Sequence, residues 1–177
     1  MKEDVLDLIP EIGSIADVGL RDLVLTVWVE AVRRGGWTPA DLREMPFTLL
    51  LKKTPVNLID HTRAVTRTAR EIGQVLDAAY GGRVKVDADV LLAGAILHDV
   101  GKLFEYSRDK DGFKKSREGD LLRHPISGAA FAFKHGLPQE VVHIIAAHSK
   151  EGDGTRRTVE AVIVNHADFV NFDIFHE

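Results

Sequence analysis

Leu91-Leu92-Ala93-Gly94-Ala95-Ile96-Leu97-His98-Asp99-Val100-Gly101-Lys102 decides how this chain is read. A run of small and apolar residues, with no polar face, ends on an imidazole and a carboxylate side by side. A segment apolar all round is buried if it is helical. Its end then carries two polar groups into a medium that penalises them unless a partner satisfies them. Two partners suit the pair. Solvent would make it a hydrated cap. A divalent cation would use neutral imidazole and ionised carboxylate as ligands, as zinc, iron, manganese and nickel do.

Working outward, the periodicity is helical nearly everywhere. Leu20, Leu23, Val24, Val27, Trp28 and Ala31 recur at helical spacing from Val18 to Arg33, and Gly35-Gly36 breaks the run. Thr38-Pro39 reads as a cap followed by proline at the first helical position. Thr54-Pro55 reads the same way and is expected to open a long helix to about Tyr80, with the stripe Leu58, Thr62, Val65, Ala69, Ile72, Leu76 and Ala79. Asp87 is expected to cap the helix that ends at His98. Further helices are expected from Leu121 to Lys134, from Pro138 to about His148, and from Thr158 to Phe172. Only Gly112 to Ser116 suggests strand, as part of a short hairpin. The fold class expected is all-α, a helical bundle.

The 177 residues are enough for one domain with its own core. A hydrophobic content of 45% and a charged content of 28% are those of a soluble globular protein. No apolar run approaches a membrane span, and no signal-peptide core follows Met1. The absence of cysteine excludes disulfides and thiolate metal sites and fits a cytoplasmic location. A net charge of −4 argues against broad electrostatic binding of nucleic acid.

Residues three or four apart share a helix face. His61 follows Leu58 by three and precedes Val65 by four; His148 follows Ile144 by four; Asp168 follows Val164 by four. With His98, polar side chains thus interrupt the apolar faces of separate helices. A lone buried histidine is ordinarily a hydrogen-bonded core residue. Several converging in one small core leave many polar atoms to satisfy, and bundles build metal sites from facing helices in this way.

The order His61, His98-Asp99, His124, His148, Asp168 resembles that of the HD superfamily of metal-dependent phosphohydrolases, in its two-metal branch. His98-Asp99-Val100-Gly101-Lys102 is similar to the family signature, and Leu122-Arg123-His124-Pro125-Ile126 to its middle motif. The likeness covers residues 54–177, which leaves 1–53 as an N-terminal helical extension that packs on the core or forms a dimer contact. The resemblance implies one site made by His61, His98, Asp99 and Asp168 and a second made by His124 and His148, with Asp99 shared. It implies one or two divalent transition-metal ions, Fe, Mn, Zn or Ni, that activate a water. It implies catalytic roles for Asp99 and for Lys102, the latter as partner of a substrate phosphate. The residue-level alternative for Lys102 is a cation favoured at a helix C-terminus.

Many relatives carry paired histidines where this chain has His148-Ser149, which implies two metals rather than three. A Gly-Tyr-Pro motif of the cyclic-dinucleotide subgroup is absent, with Asp153-Gly154-Thr155 in its neighbourhood. The stretch Leu91 to Phe172 is similar to the HD domain of bacterial 3′–5′ exoribonucleases, whose separate nucleic-acid-binding β-barrel has no counterpart here. The expected partner is therefore a small phosphorylated substrate, a nucleotide or short oligonucleotide, with no long nucleic acid and no membrane. A homo-oligomer is compatible with this. Two other functions share the ligand order or the metal: a mixed-valence di-iron oxygenase, and a non-catalytic metal-binding signalling module.

Ser107 to Asp120 is rich in both charges and reads either as a solvated loop or as a lid over a phosphate-bearing ligand. Arg63, Arg67 and Arg70 are expected to form a solvated basic face. His135, His143, His166 and His176 match no motif position.

Overall fold

The computed structural model describes residues 1–51 and 54–175; His176 lies outside them. The chain runs through α1 (Lys2–Leu8), a 3₁₀ turn (Pro10–Ser14), α2 (Val18–Gly35), α3 (Pro39–Glu44), α4 (Leu58–Tyr80), α5 (Ala88–Leu97) and α6 (Lys102–Glu105). The hairpin β1 (Tyr106–Asp109) and β2 (Gly112–Lys115) follows, then α7 (Arg117–Leu121), α8 (His124–Lys134), α9 (Gln139–Ala147) and α10 (Val159–Asp173). The fold is all-α apart from this two-stranded ribbon, in which Tyr106 faces Lys115.

Helix α5 is the axle. Every residue from Leu91 to Leu97 is buried, and the helix packs against α2, α4, α9 and α10. A Cβ on Gly94 would fall 2.5 Å from Ile144 Cδ1. The missing side chain therefore lets α9 lie close along α5. Asp87 caps α5 by accepting from the amides of Asp89 and Val90, and Thr38 makes a full capping box with Asp41. Gly36, at φ +72°, stops α2 in the left-handed region that favours glycine.

Two helix starts differ from the sequence expectation. The cap of α4 is Asn57, whose side chain accepts from Asp60 N at 2.8 Å. Thr54 instead turns back on Val56 N at 3.2 Å, because Asn57 pairs with Pro46 in an isolated bridge that holds the preceding segment extended. The helix expected from Leu121 is divided. Leu122 and Arg123 are extended, and α8 begins at His124 with Pro125 in its first turn. Proline lacks the amide and clashes inside a helix, so it starts α8 rather than continuing α7.

Residues before α4 are part of the same core. Val5, Ile9, Ile12, Val27, Trp28 and Met45 share one buried cluster with Leu58, Ile96, Leu97 and Leu103. Trp28 Nε1 donates to Ile96 O at 3.1 Å and Trp37 Nε1 to Leu103 O at 2.8 Å. The boundary drawn at 53/54 falls beside residues outside the description, and the core runs across it.

The basic stripe on α4 is only partly solvated. Arg63 Nε donates to Glu11 at 3.1 Å and Arg67 Nε at 2.8 Å, and Glu11 is only 7% exposed; Arg70 pairs with exposed Glu71. Burial opposes ionisation of Glu11, but its hydrogen bonds and the two guanidinium groups prevail and lower its pKa from the ordinary 4.5. A depressed folded pKa gives stability that is present above 4.5 and lost as pH falls through the folded value. Glu11→Gln should lower unfolding free energy by about 1–2 kcal/mol at neutral pH. In thermal melts across pH, the gap from wild type should close on acidification.

Candidate metal centre

Asp99 sits just past the end of α5, 1% exposed, and its two oxygens face opposite ways. Oδ2 lies 3.2 Å from His98 Nε2 and 3.6 Å from His61 Nε2. Oδ1 lies 3.3 Å from His124 Nε2 and 3.7 Å from His148 Nε2. One carboxylate thus stands between two histidine pairs. Asp168, on α10, joins the first pair, with Oδ1 3.0 Å from His61 Nε2 and 3.9 Å from His98 Nε2. The structure brings together every residue of the expected ligand set.

Local structure aims these rings. His98 and His148 are the C-caps of α5 and α9, and each turns Nδ1 back on the carbonyl three residues earlier, Ala95 O at 2.6 Å and Ile145 O at 2.8 Å. His124 Nδ1 meets Glu105 Oε2 at 2.8 Å. Carbonyl and carboxylate oxygens accept, so Nδ1 carries the proton in each and Nε2 is left as a bare lone pair. His124 Nε2 and His148 Nε2 then face each other at 3.3 Å. Buried His98 Nε2 has no hydrogen-bond partner at all. Lone pairs so arranged fit a cation.

Two groups of buried donors meet that need among the described residues: His61, His98 and Asp99, and Asp99, His124 and His148, with donor atoms within 4.8 Å of one another in each. Nitrogen and oxygen donors without thiolate suit a divalent transition metal. His124, Asp168 and Asp99 are held in the forms a cation needs. In His98, by contrast, burial is outweighed by Asp99 and Asp168, which raise it from its ordinary value and favour its protonated form. Burial pulls His124 down to about 4. Burial opposes the charge on Asp168, but its hydrogen bond with His61 prevails and holds it near about 2. Asp99 is held well below the carboxylate range by Lys102 and His98 against the effect of burial.

Lys102 is more engaged than the sequence suggested. It is 8% exposed, and Nζ donates to Asp99 Oδ2 at 2.6 Å and to Phe47 O at 2.5 Å. Phe47 also lays its ring 4.6 Å from that of His61. Glu105 is a second residue the pattern did not disclose. Besides His124 Nδ1 it accepts from His124 N and from Arg123 Nη1, both at 2.6 Å. Arg123 Nε continues to Glu151 at 2.9 Å, and Ser149 Oγ donates to Glu151 at 2.5 Å. Ser149 thus faces the rim. In the sequence the one mark of Glu105 is that a carboxylate stands between Phe104 and Tyr106. His135 and His143 lie outside the site, bonded to Phe131 O and Thr158 N, and His166 is exposed.

The centre floors a cleft of about 650 Å³ lined by residues including Phe47, Lys102, Lys115, Arg123, His124 and Phe169. The signature glycine, Gly101, is needed for space. A Cβ there would lie 2.1 Å from His124 O and 2.8 Å from Gly128 N, so the start of α6 touches the start of α8.

A family model described as HD domain matches residues 58–171, more than half of the chain. The chain belongs to the HD-domain family. A dihydroneopterin 2′,3′-cyclic phosphate phosphodiesterase of Methanocaldococcus jannaschii is 38% identical over 112 residues, 63% of this chain and 44% of that protein. Ribonuclease Y of Acidothermus cellulolyticus is 31% identical over 96 residues, 54% of this chain and 17% of that protein. Ribonuclease Y of Cutibacterium acnes is 28% identical over 155 residues, 86% of this chain and 25% of that protein. The chain thus spans less than half the length of these relatives. No solved structure matches it.

Asp99→Ala should remove all bound metal, whereas His124→Ala should retain the ion held by His61, His98 and Asp168; elemental analysis of the two variants checks this. Loss of all metal from His124→Ala would contradict separable sites. Gly101→Ala should cost about 1–3 kcal/mol by overpacking. It should also weaken metal binding at His124 before that at His61, read by metal titration alongside thermal unfolding.

Proposed function

We propose that this chain is a metal-dependent phosphodiesterase that hydrolyses a phosphate ester of a nucleotide-like molecule. The observation that carries the reading is Asp99, placed between two histidine pairs on the floor of a cleft with lysine and arginine in its walls. The phosphodiesterase and ribonuclease relatives support it, since both names describe phosphoester cleavage. Bound divalent ions would supply a nucleophile from water and Lewis-acid stabilisation of the phosphoryl oxygens. His61, His98, Asp99 and Asp168 would hold one ion and Asp99, His124 and His148 another. Fe, Mn, Zn and Ni all suit these donors.

The protein's own groups have distinct tasks. Lys102 keeps Asp99 ionised and leaves one of its three N–H donors for the phosphate. Glu105 fixes the His124 ring. The cleft size suits one small ligand. No helix among the described residues is long and apolar enough to cross a membrane, and the absence of cysteine supports a cytoplasmic site of action.

Bis(p-nitrophenyl) phosphate and nucleoside 2′,3′-cyclic phosphates should be hydrolysed by protein loaded with Mn²⁺, Fe²⁺, Zn²⁺ or Ni²⁺. Activity should vanish with chelator and return on readdition. Dioxygen uptake with no ester cleavage would overturn the proposal in favour of oxygenase chemistry. Lys102→Gln should lower turnover per bound metal by roughly 10²–10³-fold. Because Lys102 also ties Phe47 to Asp99, its melting temperature should fall as well. Unchanged turnover per metal would leave the lysine a purely structural role.

A further inference from the structure

The lining of the cleft differs in chemistry beside the two sets of histidine and aspartate donors. On the side of His61 and Asp168 the neighbours are aromatic. Phe169 follows Asp168, Phe172 lies one turn further along α10, and both are only partly buried where they line the cleft. Phe47 backs them, its ring 5.9 Å from that of Phe172 and 4.6 Å from that of His61.

On the side of His124 and His148 the neighbours are cationic. Arg123 precedes His124, and Lys150 stands two residues beyond His148. Lys115, on β2 opposite Tyr106, also lines the cleft. Lys150 is exposed and has no ion-pair partner among the described residues. The carboxylate nearest Lys115 Nζ is Asp120, at 3.7 Å. Arg123 spends one N–H on Glu105 and one on Glu151, which leaves three of its five donors. Lys114, by contrast, is turned to Asp109.

Resting on the phosphodiesterase reading, we infer that substrate enters in one orientation: a planar aromatic ring lies against the phenylalanine wall, and a second phosphate, beyond the ester that is cleaved, lies against Lys115, Arg123 and Lys150. Phenylalanine accepts any flat heterocycle by stacking and dispersion. Flexible lysines and a forked guanidinium suit a phosphate dianion. Exposed ion pairs such as Lys115–Asp120 are weak enough to open for it. The ester phosphorus sits between the two ends, over Asp99. The preferred substrate is thus a nucleotide-like molecule with a second phosphate beside the ester that is cleaved.

Calorimetric titration of Mn²⁺-loaded protein with adenosine 3′-monophosphate, adenosine 3′,5′-bisphosphate and ribose 5-phosphate tests this, with phosphate release followed in the same samples. Wild type should bind the bisphosphate roughly tenfold more tightly than the monophosphate, about the effect of one charge-assisted contact. Lys150→Ala combined with Lys115→Ala should bring that ratio close to one. The matched charge loss Lys134→Ala combined with Lys85→Ala, both on exposed surface outside the cleft, should keep it. Phe169→Ala should weaken both adenosine ligands roughly tenfold and ribose 5-phosphate far less. Equal affinity of wild type for the two adenosine ligands, or equal weakening of all three ligands by Phe169→Ala, would overturn the assigned orientation. Failure to cleave bis(p-nitrophenyl) phosphate would instead defeat the phosphodiesterase reading, and these binding ratios would still decide the orientation.

Discussion

A carboxylate buried to 1% exposure is the constraint on which this structure turns. Removing a charge from water is expensive unless it is paired and hydrogen-bonded. Asp99 has one permanent cation, Lys102, at 2.6 Å. Burial alone would lower the Lys102 pKa, but Asp99 outweighs it and the ammonium stays charged. The pair is then anchored from outside the family-matched stretch, because Phe47 O takes a second Lys102 proton. His98, His124 and His148 turn Nε2 toward Asp99, with Nδ1 spent on carbonyl and carboxylate oxygens. A negative centre ringed by lone pairs favours binding of divalent cations, and metal binding would then contribute to folding stability.

That centre is produced by packing decisions made far from any polar atom. Gly94 admits Ile144 against α5, which brings the ends of α5 and α9 together and sets the His98 and His148 rings 5.1 Å apart. Gly101 does the same for α6 and α8 and delivers His124. Both glycines work by having no side chain. A methyl group at Gly94 would press on the Ile144 side chain, and one at Gly101 on the backbone of α8 itself.

Much of this was legible in the sequence. The uniformly apolar run before His98 announced a central helix, and the placement of His61, His148 and Asp168 on apolar stripes announced convergence. Legibility ended where a partner is distant along the chain. Helical spacing cannot show that Lys102 meets the carbonyl of Phe47, that Glu105 orients His124, or that Glu11 sits beneath Arg63 and Arg67. Each of these depends on how separate elements dock. The two displaced helix starts have a local cause that was underweighted. Asn57 competes successfully with Thr54 as a cap, and Pro125 resets the start of α8.

The two halves of the centre are not equivalent, and the difference bears on which half would meet substrate. Asp168 gives the His61 side a further carboxylate, and Phe47 covers the His61 ring. Among the described residues the His124 side has Asp99 and two histidines as donors. What surrounds it is the chain Glu105, Arg123, Glu151 and Ser149, whose members bond to one another. Catalytic metal sites keep a coordination position for water or substrate, whereas structural ones are closed by protein. On the proposed reading the His124 side is the open one. Arg123 and Lys150, chain neighbours of His124 and His148, line the cleft at this end. On that reading fewer ligands and neighbouring cations coincide, as a site that must exchange its ligands in each turnover requires.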